Sequence, residues 1–395
     1  NNQIEGYTAR SMGEGKMLFK QFSSRNTWAE VKLTHIKYNV AQMRAHLPEK
    51  VEIMAMVKAN AYGHGAVEVA QTALEAGATF LGVAMLDEAI ELRQNNIHAP
   101  ILILGRTSPQ DVPIAIEENF RLTVFQKEWL KEANKYIPAS KQLPVHLKVD
   151  TGMGRFGIST KEEMSEFLQE LKQYPSMTLE GIYTHFATAD HIETGYYKKQ
   201  QRRFKERLEQ AWEIVGKIPY IHCGNSAAAL RFPEECFNMI RFGISMYGLP
   251  PSEEIVEELP FPLKEAFSLH SRIAQVKQLS KGEKISYGGT YTTKEKEWIA
   301  TIPIGYADGW YRHHYTNNGS VLVDGVRAPI VGRICMDQMM IRLPYPVPVG
   351  TKVTLIGKQK NESISILEVA NRLNTITYEI PCMISYRVPR KYIVS

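Results

Sequence analysis

The chain has 395 residues, 44% hydrophobic and 23% charged, an ordinary globular balance with room for two domains or one large barrel and an appendage. The 47 basic and 42 acidic side chains leave a net charge of +5, and the basic residues are scattered rather than interleaved with aromatics, which speaks against a nucleic-acid partner. No apolar run reaches bilayer length, so no membrane association is expected.

Residues 1–25 show no pattern and read as a leader or remnant, expected to be flexible. Next comes TWAEVKL at Thr27, which one reading pairs with a second domain far along the chain. From Val51 to Ile244, short apolar runs alternate with amphipathic stretches. The runs are VEIMAMV, TFLGVA, PILILG, RLTVF, PVHLKV, LEGIYTHF, YIHCG and MIRFGI. Stretches such as AVEVAQTALEAGA and SEFLQELKQYP repeat apolar residues at helical spacing. Uniformly apolar strands are buried on both faces, as in a parallel sheet. Eight of them separated by helices predict an α/β fold, a TIM-type (β/α)8 barrel over residues 26–262. A doubly wound open sheet is the alternative, but no G-x-G-x-x-G follows the first strand.

Past Pro262 the helical period fades. PPSEEIVEELPFP forms an acidic, proline-bounded linker, and residues 263–395 read as a mostly-β domain with one short helix at ILEVANRL. The four cysteines, Cys223, Cys236, Cys335 and Cys382, form no C-x-x-C pair and no zinc spacing, so no metal is expected. They read as reduced thiols of a cytoplasmic protein.

In such a barrel, functional groups sit at the carboxyl ends of strands. Lys58 ends the first apolar run in MAMVKANAYGHG. Burial would favour its neutral, nucleophilic form, a Schiff-base candidate, although a lysine snorkelling to solvent satisfies the same spacing. Arg155 follows the fifth run in DTGMGRFG, His185 and Asp190 lie in THFATAD, and His222, Asn225 and Ser226 in HCGNSAA. Either histidine could be a satisfied core residue. Ser226 and Gly243 suit phosphate, or Ser226 simply caps a helix. Arg241, inside an apolar strand, needs an acceptor, whether a ligand or a core ion pair.

The segments AMVKANAYGHG, DTGMGRFG, THFATAD, HCGNSAA, RFGISMYG, ISYGGTY, IPIGYADGW, GRICMDQ, YEIPC and RVPR occur in an order that resembles the alanine racemases, most closely the Bacillus type, from about residue 26 to 390. The resemblance implies a fold-type III enzyme with pyridoxal 5′-phosphate held covalently on Lys58. It implies that Tyr62, Ser226, the backbone of Gly243 and Ile244, and Tyr378 hold the phosphate. His185 would pack on the pyridine ring, Asn225 would be the family's cofactor-site asparagine beside Ser226, and Arg241, backed by His222, would face the ring nitrogen. Lys58 and Tyr287 would be the two bases, with Tyr287 of the β domain serving the partner's site in a homodimer. Arg155 and the backbone of Met336, neighboured by Asp337, would fix the substrate carboxylate. Lys148 would be carbamylated to orient Arg155, and Tyr306 with Tyr378 would narrow the entrance. Gly224 departs from the alanine often found before the Asn-Ser pair. The implied reaction interconverts L- and D-alanine, the latter for peptidoglycan. A serine-preferring or broader racemase, a decarboxylase of the same fold type and a non-catalytic cofactor carrier are the competing readings.

Overall fold

A computed structural model describes residues 23–394, which divide into two compact units. The barrel unit holds Glu30–Phe267, Ile366–Met383 and the end of the chain from Tyr392 on. The β unit holds the described residues up to Ala29, then Ser268–Ser365 and Ile384–Lys391. The chain therefore passes between units more often than a single cut after residue 262 implies. The expected leader lies mostly outside the described residues. Its last residue, Arg25, pairs through Nη1 with Oδ1 of Asp308 at 3.0 Å, a carboxylate fully buried in the β unit.

The barrel unit closes eight parallel strands: Glu52–Met56, Phe80–Val83, Ile101–Ile103, Arg121–Val124, Leu143–Lys148, Met177–Tyr183, Tyr220–Gly224 and Met239–Phe242. The last returns to the first with Ile53 opposite Ile240. Each corresponds to one of the eight apolar runs, because both faces of a barrel strand are buried and no alternation survives. Met54, Phe80, Leu102, Tyr183 and Met239 form one core cluster. The helices between strands carry their own start signals. Thr160 Oγ1 accepts from the Glu163 N–H while the Glu163 carboxylate accepts from the Thr160 N–H, opening the helix Lys161–Leu171. The segment ILEVANRL forms the helix Ile366–Arg372, and Glu379–Met383 adds a short helix within YEIPC that alternation does not reveal.

The β unit is built on a sheet whose strands run in the order 326–329, 320–323, 352–359, 267–272, 27–32 and 390–393. TWAEVKL thus enters this sheet as the strand Thr27–Lys32. Gln275–Leu279, Glu297–Ile302 and Met339–Leu343 form a second, antiparallel sheet. Among the described residues, no helix is long and apolar enough to cross a membrane.

One local feature departs from every regular expectation. After the first barrel strand, Ala59, Asn60, Ala61 and Tyr62 all have φ near +52°, forming a single left-handed turn. Such a conformation costs L-residues about 1–2 kcal/mol each. Gly63 closes the turn at φ +81°, and a Cβ there would collide with the Pro381 carbonyl. Gly63→Ala is therefore expected to lose about 3 kcal/mol or more of stability in urea unfolding. A variant as stable as the parent would contradict the packing described for this turn.

Candidate active site

The left-handed turn is locked by a ring of specific bonds. The Val57 N–H donates to Gly82 O at 2.9 Å, so strand pairing persists up to the residue before Lys58. Within the turn, the Ala61 N–H donates to Val57 O at 2.9 Å and the Gly65 N–H to Asn60 O at 2.9 Å. The Asn60 side chain accepts from the Ala66 N–H at 2.9 Å and starts the next helix. The Glu88 carboxylate accepts from the Ala59 N–H at 2.6 Å and from the Ala84 N–H at 2.7 Å, tying the turn to the end of the second strand. Lys58 is thereby fixed at its base, while its side chain opens into a cavity of about 650 Å³ at the carboxyl ends of the barrel strands.

That cavity gathers most of the residues singled out in the sequence. Lys58, Tyr62, Lys148, Arg155, His185, Asn225, Ser226, Arg241, Gly243, Ile244 and Tyr378 all line it. Tyr62 stacks on Tyr247 with ring centroids 4.8 Å apart, and the Tyr247 hydroxyl donates to Met56 O at 2.7 Å. The ring of Tyr378 lies 6.4 Å from that of Tyr62. Asn225, rather than Ser226, is the helix cap, since its Oδ1 accepts from the Ala228 N–H at 3.0 Å. This frees Ser226 Oγ, which accepts from the Gly243 N–H at 3.0 Å. A Cβ at Gly243 would stand 2.7 Å from the Tyr62 hydroxyl, so the cradle exists only because residue 243 has no side chain. A Cβ at Gly224 would stand 2.6 Å from Cys236 Sγ, which explains glycine at that position.

Arg241 is buried and, among the described residues, makes no ion pair. Its Nη1 donates to His222 Nδ1 at 2.8 Å and to His222 O at 3.1 Å. Its Nη2 donates to Thr184 O at 2.6 Å and faces His185 Nδ1 at 3.2 Å and Cys223 O at 3.3 Å. None of these bonds uses Nε, which leaves that N–H for the cavity. His222 lies behind Arg241, fully buried, with its ring stacked on Tyr183 at 4.6 Å. Tyr183 in turn lies under Lys148 Nζ at 5.0 Å from its ring centre.

The cavity's charges are one-sided. Lys58, Lys148, Arg155 and Arg241 line it, and among the described residues no Asp or Glu does. Burial, then the charge of Arg155, holds the Lys58 amine below the usual lysine value, with Glu88 opposing and Arg241 adding. Burial, Arg241 and Arg155 bring Lys148 down to about 7. Burial, followed by the charge of Arg241, holds His185 and His222 well below the usual imidazole range, so both are neutral. Burial pushes the phenols of Tyr62 and Tyr378 up, and it lifts Tyr183 to about 12.

Tyr287, Met336 and Asp337 line a concavity of about 570 Å³ on the β unit, with Ser286, Cys335 and Gln338. Tyr287 is 70% exposed and Met336 53%. Ser286, at φ +65°, and Gly288, at φ +74°, turn the chain sharply around Tyr287. Tyr306 joins this group, because the Tyr306 N–H donates to Cys335 O and the Ala307 N–H to Met336 O, each at 3.0 Å. Asp337 Oδ1 accepts from Arg387 Nη2 at 2.6 Å.

Several contributors escape a reading by motif. Glu88 looks like a surface helix residue in sequence, and only the fold brings it under Lys58. Asp150 Oδ1 accepts from the N–H groups of Gly152 and Met153 at 2.9 Å, shaping the loop that carries Arg155. His146 and Glu180 do leave a signal, a polar residue inside an otherwise apolar run.

Known proteins resemble this chain over nearly its whole length. A family model described as alanine racemase, N-terminal domain, matches residues 31–251, and one described as alanine racemase, C-terminal domain, matches residues 266–392. The alanine racemase of Anoxybacillus flavithermus is 58% identical over 371 residues, covering 93% of this chain and 95% of that protein. That of Geobacillus stearothermophilus is 58% identical over 366 residues, covering 93% of each. The crystal structure of the Bacillus anthracis alanine racemase with bound L-Ala-P matches at a TM-score of 0.92 and 53% identity, covering 94% of this chain and 96% of that one. With both family models matched across the two units, the chain belongs to the alanine racemase family.

Proposed function

We propose that this chain interconverts L- and D-alanine with pyridoxal 5′-phosphate, using Lys58 and Tyr287 as bases on opposite faces of the substrate α-carbon. The observation that carries the reading is the barrel cavity with four cations and no carboxylate among its lining residues. Lys148 and Arg241 are buried there, with Lys58 half-buried and Arg155 at the edge, and a phosphate monoester and an amino-acid carboxylate supply the negative charge that such a cluster attracts. The Ser226, Tyr62 and Tyr378 hydroxyls and the Gly243 and Ile244 backbone offer a phosphate cradle in space that a side chain at 243 would fill. Lys58 offers an amine held toward its neutral form, as an aldehyde requires. When bound, the cofactor supplies the electron-withdrawing ring that acidifies the α-proton of the amino acid.

Each residue then has a distinct task. Arg241, with both Nη groups engaged, offers Nε–H to the ring nitrogen, and a guanidinium does not surrender that proton. Held this way, the cofactor would keep its ring nitrogen unprotonated and would supply a tempered electron withdrawal, disfavouring side reactions such as transamination. His185 packs on the ring, and Asn225 anchors the helix carrying Ser226. Arg155 and the Met336 N–H orient the substrate carboxylate. Lys58 Nζ takes and returns the proton on the face that D-alanine presents. On the L face, the cavity's own phenols Tyr62, Tyr183 and Tyr378 are held protonated by burial, so they are poor bases. The exposed Tyr287 fills that role by reaching the barrel cavity of a partner subunit in a homodimer. Tyr306 and Tyr378 narrow the entrance to suit a methyl side chain, and we place the activity in the cytoplasm, supplying D-alanine for peptidoglycan.

Lys148 has a further covalent task. Its neutral amine attacks carbon dioxide, an N–C bond forms, a C=O pair moves to oxygen, and an N–H proton leaves to water. The resulting carbamate anion answers the charges of Arg155 and Arg241 that depress the amine. Two measurements check these roles. In deuterated water, Tyr287→Phe should keep α-proton exchange of D-alanine while L-alanine exchange falls about 100-fold or more. Equal loss for both enantiomers would overturn the assignment of faces. Native mass spectrometry at neutral pH should show one added carbon dioxide that acidification removes and Lys148→Met lacks. An unchanged mass would exclude the carbamate.

A further inference from the structure

His222 does not end the line of hydrogen bonds behind Arg241. Its Nε2 lies 2.9 Å from Nδ1 of His146, whose Nε2 lies 3.1 Å from Oε2 of Glu180. Glu180 is gripped by Arg121, whose Nε donates to Oε2 at 3.1 Å and whose Nη2 donates to Oε1 at 3.3 Å. Arg121, His146, Glu180, His222 and Arg241 come from five consecutive barrel strands, the fourth through the eighth. Both histidines are fully buried.

The barrel is irregular where this line passes. Register shifts between Val145 and His146 against the sixth strand, and between His222 and Gly224 against the eighth. Two register shifts and a glycine at 181 lie where the two imidazoles pack, and a side chain at 181 would collide with the His146 ring.

The proton arrangement along the line has one solution. Arg241 can only donate, so His222 Nδ1 accepts. A neutral His222 then carries its proton on Nε2 and donates to His146 Nδ1. His146 must carry its proton on Nε2 and donate to Glu180, which accepts as a carboxylate held ionised by Arg121. A second proton on either ring would set N–H against N–H at one junction.

We propose that Glu180 is a positioning residue for Arg241, acting through His146 and His222 by fixing the tautomer of each ring. The fixed lone pair on His222 Nδ1 holds Nη1, and the guanidinium keeps Nε–H turned to the cavity. The consequence for catalysis rests on the proposed role of Arg241 at the cofactor ring, whereas the tautomers can be read whatever the cavity holds.

The test is long-range proton–nitrogen NMR on histidine-labelled holoenzyme, with and without Glu180→Met. The native protein should show both rings neutral with the proton on Nε2. Glu180→Met should abolish that single tautomer at His146 and His222, and lower kcat roughly tenfold with KM little changed. Glu180→Gln, which keeps an accepting oxygen and fills the same space, should restore part of the signature and serves if the first variant does not fold. Ring nitrogen shifts unchanged in both folded variants, or a native Nδ1–H tautomer at either ring, would overturn the proposal. Absence of pyridoxal absorbance and of racemisation in the native protein would instead fail the functional reading and leave the tautomer result standing.

Discussion

Two lysines and two arginines share one cavity with no carboxylate among its described lining residues, and the rest of the site follows from that constraint. Loss of solvent, then repulsion from the neighbouring guanidiniums, disfavours protonation and draws Lys58 and Lys148 toward neutral amines, whereas a guanidinium keeps its proton. The arrangement yields two nucleophilic nitrogens and two fixed cations within one chamber. A barrel suits it because strand ends and the loops after them converge on one rim: Lys58 follows the first strand, Lys148 closes the fifth, Arg155 lies in the loop beyond it and Arg241 sits in the eighth.

Holding a lysine at a fixed point in that chamber has a cost visible in the backbone. Four non-glycine residues in succession take the left-handed conformation immediately after Lys58. Strain of this kind persists only where the surroundings over-determine it. Glu88, Asn60, the Gly63 contact with Pro381 and the Tyr62–Tyr247 stack are those surroundings. The turn also carries Tyr62 over Gly243, so one strained segment places both the amine and the tyrosine that packs against Gly243.

Much of this architecture is legible in the amino-acid sequence. The eight apolar runs correspond to the eight barrel strands because burial on both faces removes alternation, and burial is written directly in composition. Lys58 stands out because a lysine rarely closes an apolar strand. Spacing does not reveal that Asn225 is the cap and Ser226 the free hydroxyl, since both residue types serve either role. Nor does it reveal the left-handed turn, because Ala-Asn-Ala-Tyr has no local preference for it. Glu88 and Asp150 act through backbone N–H groups, contacts that leave no pattern in sequence. The segment 366–383 gathers with the barrel unit through packing alone, which a boundary drawn from composition does not see.

The proposed pairing of Lys58 of one subunit with Tyr287 of another is open to a mixed-dimer experiment. Mixing Lys58→Ala and Tyr287→Phe chains, each nearly inactive alone, and letting subunits exchange measures this directly. Every mixed dimer would hold one site with both native bases and one with neither. The account predicts recovery to about one quarter of native activity, since half the dimers are mixed and half their sites are intact. Mixed dimers that form, as shown by differently tagged chains, yet stay as inactive as either variant alone would contradict it.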